Sequence, residues 1–169
     1  MSHTALTVGG LAVGLAITGV NAWSWWKSPG RDPKHLLPFA SGFALGALST
    51  ICGGLLGAAA GWTAGLNNAA GGHIVPGATG TGAGTVARGA AGGLTPGGAL
   101  LTFLLLVGVI VAWRAATKVL KRRLAGGWWA GATLTLSAGV AGLIGSTIVP
   151  VVNTGGDSVL AWFNGGAVL

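Results

Sequence analysis

Acidic residues are almost missing from this chain: Asp32 and Asp157 are its only carboxylates in 169 residues, and charged side chains of either sign make up 7%. A soluble domain needs far more charge on its surface to stay dispersed in water, so composition points away from an ordinary water-soluble globule. The single cysteine, Cys52, rules out an intrachain disulfide and leaves the redox compartment open. Inside an apolar run it reads as a small packing residue. The histidines, His3, His35 and His73, are too scattered to make a metal-ligand set. With only six prolines and no G-X-Y period, the 34 glycines make neither a collagen helix nor a disordered chain. Positive charge is missing ahead of the first apolar stretch. Gly19-Val20-Asn21-Ala22 offers the small residues of a signal cleavage site, but a secretion signal carries its charge before the apolar region rather than after it. The expectation is a retained first helix with its N-terminus outside.

What the chain has in quantity is apolar length, with 51% hydrophobic residues gathered in runs at about 5–23, 36–62, 98–117 and 128–151. Each reaches or approaches the roughly 20 residues that cross about 30 Å of hydrocarbon as a helix. The connections between the runs hold three, one and five Lys/Arg: Lys27, Arg31 and Lys34; Arg88; then Arg114, Lys118, Lys121, Arg122 and Arg123. That alternation follows the positive-inside rule for four membrane-spanning helices with both termini outside. Tryptophan agrees, since indole prefers the headgroup level. Trp23, Trp25 and Trp26 adjoin the first basic loop, Trp113, Trp128 and Trp129 bracket the second, and Trp62 lies near the far end of its run. The expected fold is an all-α, multi-pass integral protein of the cell membrane. It forms one domain over 1–169, with helices at about 5–26, 36–66, 98–123 and 127–151 packed through glycine and alanine.

Gly53, Gly57, Gly61 and Gly65 recur every four residues in the second run, with Gly42 and Gly46 offset on another face. Such a ladder, a glycine zipper, lets another backbone approach closely where lipid supplies no hydrophobic drive for helix association. The partner is either a helix of the same chain, with Gly10/Gly14 and Gly127/Gly131 as candidates, or a second copy, in which case a homo-oligomer or pore results.

Between the second and third runs, 67–97 is a glycine, alanine and threonine tract, and it is expected to be a flexible external loop because it buries too little apolar area to offset its ordering entropy. Its glycines do not make a phosphate loop: no Gly-Lys-Ser/Thr follows and no strand precedes. In the third connection, a helix continuing past Trp113 would put Arg114, Lys118, Lys121 and Arg122 on one face at i, i+4, i+7 and i+8, with Arg123 alongside. This cluster attracts phosphate, whether of anionic lipid headgroups or of nucleic acid. With the loop Lys27–His35, eight of the nine basic residues would form one cytoplasmic patch.

Enzymatic chemistry has little to work with. The two carboxylates fall on opposite sides of the expected topology, so no acid/base pair forms. Ser49 and Ser137 have no neighbouring base, and no charged or histidine side chain interrupts the middle of a run, as a proton relay would require. No cofactor is expected. After Pro150 and Asn153-Thr154-Gly155-Gly156, which read as helix-ending signals, the tail 153–169 is expected to lie in the outer interface, with Asp157 as a solvated charge.

The four-run hydropathy, the basic cytoplasmic loops and stretches such as Gly92-Gly93-Leu94-Thr95-Pro96-Gly97-Gly98 resemble the spread proteins of actinobacterial conjugative plasmids. That resemblance implies an accessory membrane protein of intercellular plasmid DNA transfer, with DNA or a DNA translocase as partner, and it assigns no functional residues. Two other readings fit the same residues: a holin-like or other oligomeric pore, and a small structural subunit of a larger membrane or virion assembly.

Overall fold

The computed structural model describes residues 5–82 and 84–165. Six α-helices follow one another: α1 Val8–Trp26, α2 Leu37–Ser49, α3 Gly54–Thr79, α4 Pro96–Ala115, α5 Lys118–Leu134 and α6 Ala138–Phe163. Two short 3-10 turns, Pro29–Arg31 and Pro33–His35, fill the first connection, and no strand occurs among the described residues. By length and composition α1, α4 and α6 are each able to cross a membrane, and α2 with α3, bent by 107° at their break, makes a fourth candidate, as a broken span or a re-entrant loop.

The two halves of the chain repeat one another. Thr7 and Thr95 are the N-caps of α1 and α4, each hydroxyl accepting the backbone N–H three residues on, Gly10 and Gly98, at 3.0 Å. Gly9 meets the backbone of Gly71 so closely that a Cβ on either would collide with the other, and Gly97 meets Gly156 in the same way. The pairs fall at constant displacements, 88 positions for Thr7/Thr95, Gly9/Gly97 and Trp25/Trp113, then 85 for Phe39/Leu124, Gly42/Gly127, Asn68/Asn153 and Gly71/Gly156. The difference is absorbed where the Lys27–Leu36 connection faces the short Ala116–Thr117 break. So α1–α2–α3 and α4–α5–α6 are two copies of one three-helix unit.

The copies join along α2 and α5, which run parallel with their backbones nearly touching. A Cβ at Gly42 would meet the carbonyl of Leu124 and the amide of Trp128; one at Gly127 would meet the carbonyl of Phe39 and the amide of Phe43, the equivalent atoms. Gly46 and Gly131 repeat the relationship one turn on, against Trp128/Ala132 and Phe43/Ala47. Small residues let the two backbones gain dispersion contacts over several turns, which is the main attraction available to helices in lipid. At the ends of these helices Ala47 and Leu48 pack with Ala91, Ala141, Ile144 and Val149 into a buried cluster.

Four features depart from the sequence expectations. The second helix does not run unbroken over 36–66; it ends at Ser49, and α3 leaves in a new direction. The tract 67–97 is not a loop throughout, because α3 continues to Thr79: Asn67 donates to the Thr133 hydroxyl, Asn68 binds Thr7, and Gly71 seats on Gly9, so tertiary contacts hold as helix a sequence of weak propensity. The rest of the tract is held as a strap, with Val86 N–H on the Leu6 carbonyl at 2.8 Å and Gly89 N–H on that of Leu136 at 3.1 Å, while the Ala138 N–H binds the Ala87 carbonyl at 2.9 Å. The third helix stops at Ala115 rather than reaching 123, since α4 packs on α6 and α5 on α2, and one straight helix cannot serve both. Lastly, the expected helix 127–151 is divided, α5 ending at Leu134 and α6 starting at Ala138, and α6 then runs through Pro150 to Phe163, so the tail as far as 163 is helical; residues 166–169 lie outside the described residues.

Candidate functional site

Charge is segregated along the bundle. α1 lies antiparallel to α5, with Gly14 against Leu134 and Gly126 beside Ile17 and Asn21, so the C-terminal end of α1 lies with the N-terminal end of α5. Lys27, Arg31 and Lys34 therefore share an end with Arg114, Lys118, Lys121, Arg122 and Arg123. Arg123 ties the two groups directly, its Nη1 donating to the His35 carbonyl at 2.6 Å. At the opposite end Arg88 is bridged to Ser137.

Aromatic rings and cations interleave at the basic end. Lys27 Nζ stands 4.9 Å from the Trp23 ring centre and the Arg31 guanidinium 4.2 Å from that of Trp26, while the Trp25 indole donates to the Asp32 carbonyl at 3.1 Å. Such contacts suit a headgroup layer, where a ring is half in hydrocarbon and a cation stays wet. The break at Ala116–Thr117 divides the expected basic face: Arg114 stays on α4, while Lys118, Lys121 and Arg122 share a face of α5 at i, i+3 and i+4. These cations fall in the opening turns of α5, whose first turn has no acidic residue and whose N-cap Thr117 makes no side-chain bond. Positive charge there opposes the helix dipole, so an anion nearby is favoured twice.

An apolar groove opens beside this face. About 410 Å³ in volume, it lies between α2, α4 and α5, with Leu45, Leu106, Val109, Ile110 and Trp128 among its walls and Trp113 and Arg114 at its basic end.

The expected glycine ladder lies elsewhere. Gly53 is the N-cap of α3 and Gly57, Gly61 and Gly65 lie along it; beside Gly53, Gly61 and Gly65 there is open space, whereas a Cβ at Gly57 would collide with the backbone of Cys52 in the break between α2 and α3. The intrachain seam is made instead by Gly42/Gly46 and Gly127/Gly131. Their four-residue spacing was visible in the sequence; which of several glycine faces meet was not.

Two polar nodes escaped sequence reading. Asn68 Oδ1 accepts both the amide and the hydroxyl of Thr7 at 3.0 Å, and its Nδ2 binds the Ala5 carbonyl; Asn153 likewise accepts the Thr95 amide at 3.0 Å and donates to Gly93 at 3.1 Å. Asp157 is not merely solvated, for it accepts the Thr95 hydroxyl at 2.9 Å beside the first turn of α4, where the dipole favours a carboxylate. The signal that could have found them is the recurrence of Leu-Thr-x-Gly-Gly followed by Asn-x-x-Gly in each half.

Among the described residues no three His, Cys, Asp or Glu side chains come together as a metal site, and His3 lies outside those residues. The arrangement presents a basic, tryptophan-rimmed end beside an apolar groove. Comparison with known proteins finds no family model, no curated sequence and no solved structure that matches the chain.

Proposed function

We propose that this is a non-enzymatic, multi-pass protein of the cell membrane, with both termini outside, that offers its basic cytoplasmic end to a polyanion. The observation that carries the reading is the gathering of eight basic side chains, from two separate connections, at one end of the bundle. Of the polyanions, DNA is the reading that accords with the resemblance to spread proteins; the protein would then be an accessory of plasmid transfer, holding DNA or a DNA translocase at the membrane. The test is DNA binding by the protein in nanodiscs of neutral lipid, measured by fluorescence anisotropy over a salt series. Affinity should fall steeply with salt, each phosphate neutralised adding about 0.9 to the log–log slope, and Lys118→Gln/Lys121→Gln/Arg122→Gln should flatten it. Salt-independent binding, or none, would remove DNA from the account.

The open space beside Gly53, Gly61 and Gly65 favours a second reading. There the ladder meets further copies of the chain, as in a holin-like pore or a structural subunit of a membrane or virion assembly. Dye leakage from cells expressing the wild type, abolished in Gly61→Leu/Gly65→Leu at matched membrane levels, would select it, since both positions face open space; intact membranes would set it aside.

A further inference from the structure

The groove exists because the two repeats are not packed alike. In the first, α1 closes onto α5 through Gly14 and Gly126. The equivalent positions where α4 faces α2 are Thr102 of α4, buried and bonded at 2.8 Å to the Gly98 carbonyl, and Ser41 of α2, so this pair of helices lacks the two glycines that let α1 close onto α5. The side chains along the gap differ to match: Thr18, Asn21 and Ala22 of α1 correspond to Leu106, Val109 and Ile110 of α4. Thr18 and Asn21 fold their polar groups back onto carbonyls of their own helix, Gly14 and Ile17, whereas the side chains of α4 stand as apolar walls of the groove.

We propose that this groove holds an acyl chain of an anionic phospholipid, whose phosphate is taken by Arg114 with Lys118 and Lys121; the inference rests on the reading that the basic end lies at a membrane surface. Length supports the choice. From Leu106 to Arg114 the groove follows about 12 Å of helix at ~1.5 Å per residue, close to the ~15 Å of hydrocarbon in one leaflet, half of a ~30 Å core. Charge complementarity supports it further. The walls are almost wholly apolar, the one formal charge on them is the Arg114 guanidinium at the end where Trp113 marks headgroup depth, and the next turns of chain add Lys118 and Lys121. The carboxylate on that side, Asp32, accepts the Lys34 amide at 2.8 Å on the other connection. A lipid there would supply the anion that the start of α5 lacks.

The experiment is native mass spectrometry of the protein extracted from vesicles of equal phosphatidylglycerol and phosphatidylcholine. The expected result is one phosphatidylglycerol retained per chain in preference to phosphatidylcholine. Ala125→Trp, which fills the groove from α5, should abolish retention of either lipid. Val109→Trp fills it from α4 and replaces that variant if circular dichroism shows Ala125→Trp unfolded. Arg114→Gln should keep a lipid but lower the preference about fivefold, the effect of one cation at an anionic surface. Inserted protein with no retained lipid, equal retention of both lipids, or retention unchanged by both tryptophans overturns the proposal and leaves the membrane reading intact. A dimer that Ala125→Trp dissociates would show that a second copy fills the groove instead. Protein that never enters the vesicles overturns both readings together.

Discussion

Asn68 and Asn153 stand 85 positions apart and make the same contacts: each accepts the amide of the threonine that caps a helix of its own repeat, Thr7 or Thr95, and donates to the carbonyl two residues before that threonine. One difference follows from a single substitution. Where the second repeat has Asp157, the first has Gly72, so the Thr7 hydroxyl turns to Asn68 while that of Thr95 turns to the carboxylate. Each asparagine fixes where an outer helix begins relative to the helix that crosses it.

Asn68→Ala and Asn153→Ala should therefore each destabilise the protein by about 1 kcal/mol, the net worth of a small group of partly buried hydrogen bonds. Because the nodes lie in different repeats, the double variant should lose close to the sum. Unfolding in mixed micelles by added denaturing detergent measures all three.

The seam between α2 and α5 should be the most sensitive place in the molecule. Gly127→Leu or Gly131→Leu forces a side chain into the backbone of α2 and should cost at least ~2 kcal/mol, since overpacking of this kind finds no flexible neighbour to move. Gly61→Leu on the ladder meets open space and should leave the fold intact. Circular dichroism and resistance to detergent unfolding separate the two classes, and size-exclusion chromatography of Gly61→Leu shows whether that face serves a second copy.

Arg123→Ala should release the first connection, because the guanidinium is the direct bond seen between that loop and α5. Limited proteolysis should cut within 27–36 faster than in the wild type, with little change in global unfolding.

The all-helical class and the candidate spans were legible because the apolar runs are long enough to cross a bilayer as helices. The breaks after Ser49 and Ala115 were not, since neither contains proline and both serve packing: each helix must leave its line to reach a different partner. The helical state of 67–79 was hidden for a related reason, its stability residing in Asn67, Asn68 and Gly71 contacts made far away in sequence. The repeat is masked by its change of displacement between the first and second helices of each unit. In the candidate site, the basic cluster was visible as a charge run, but the groove beside it depends on Thr102 and Ser41 standing where the other repeat has Gly14 and Gly126. That comparison depends on aligning the two halves at displacements of 88 and then 85 positions.

The charge-segregated membrane topology is tested most directly by cysteine accessibility in a Cys52→Ala background. Thr117→Cys, at the basic end, should react with a membrane-impermeant maleimide only after the cells are permeabilised, and Thr85→Cys, beside Thr7 at the other end, should react in intact cells. Labelling of both positions in intact cells, or of Thr117→Cys alone, would contradict the account.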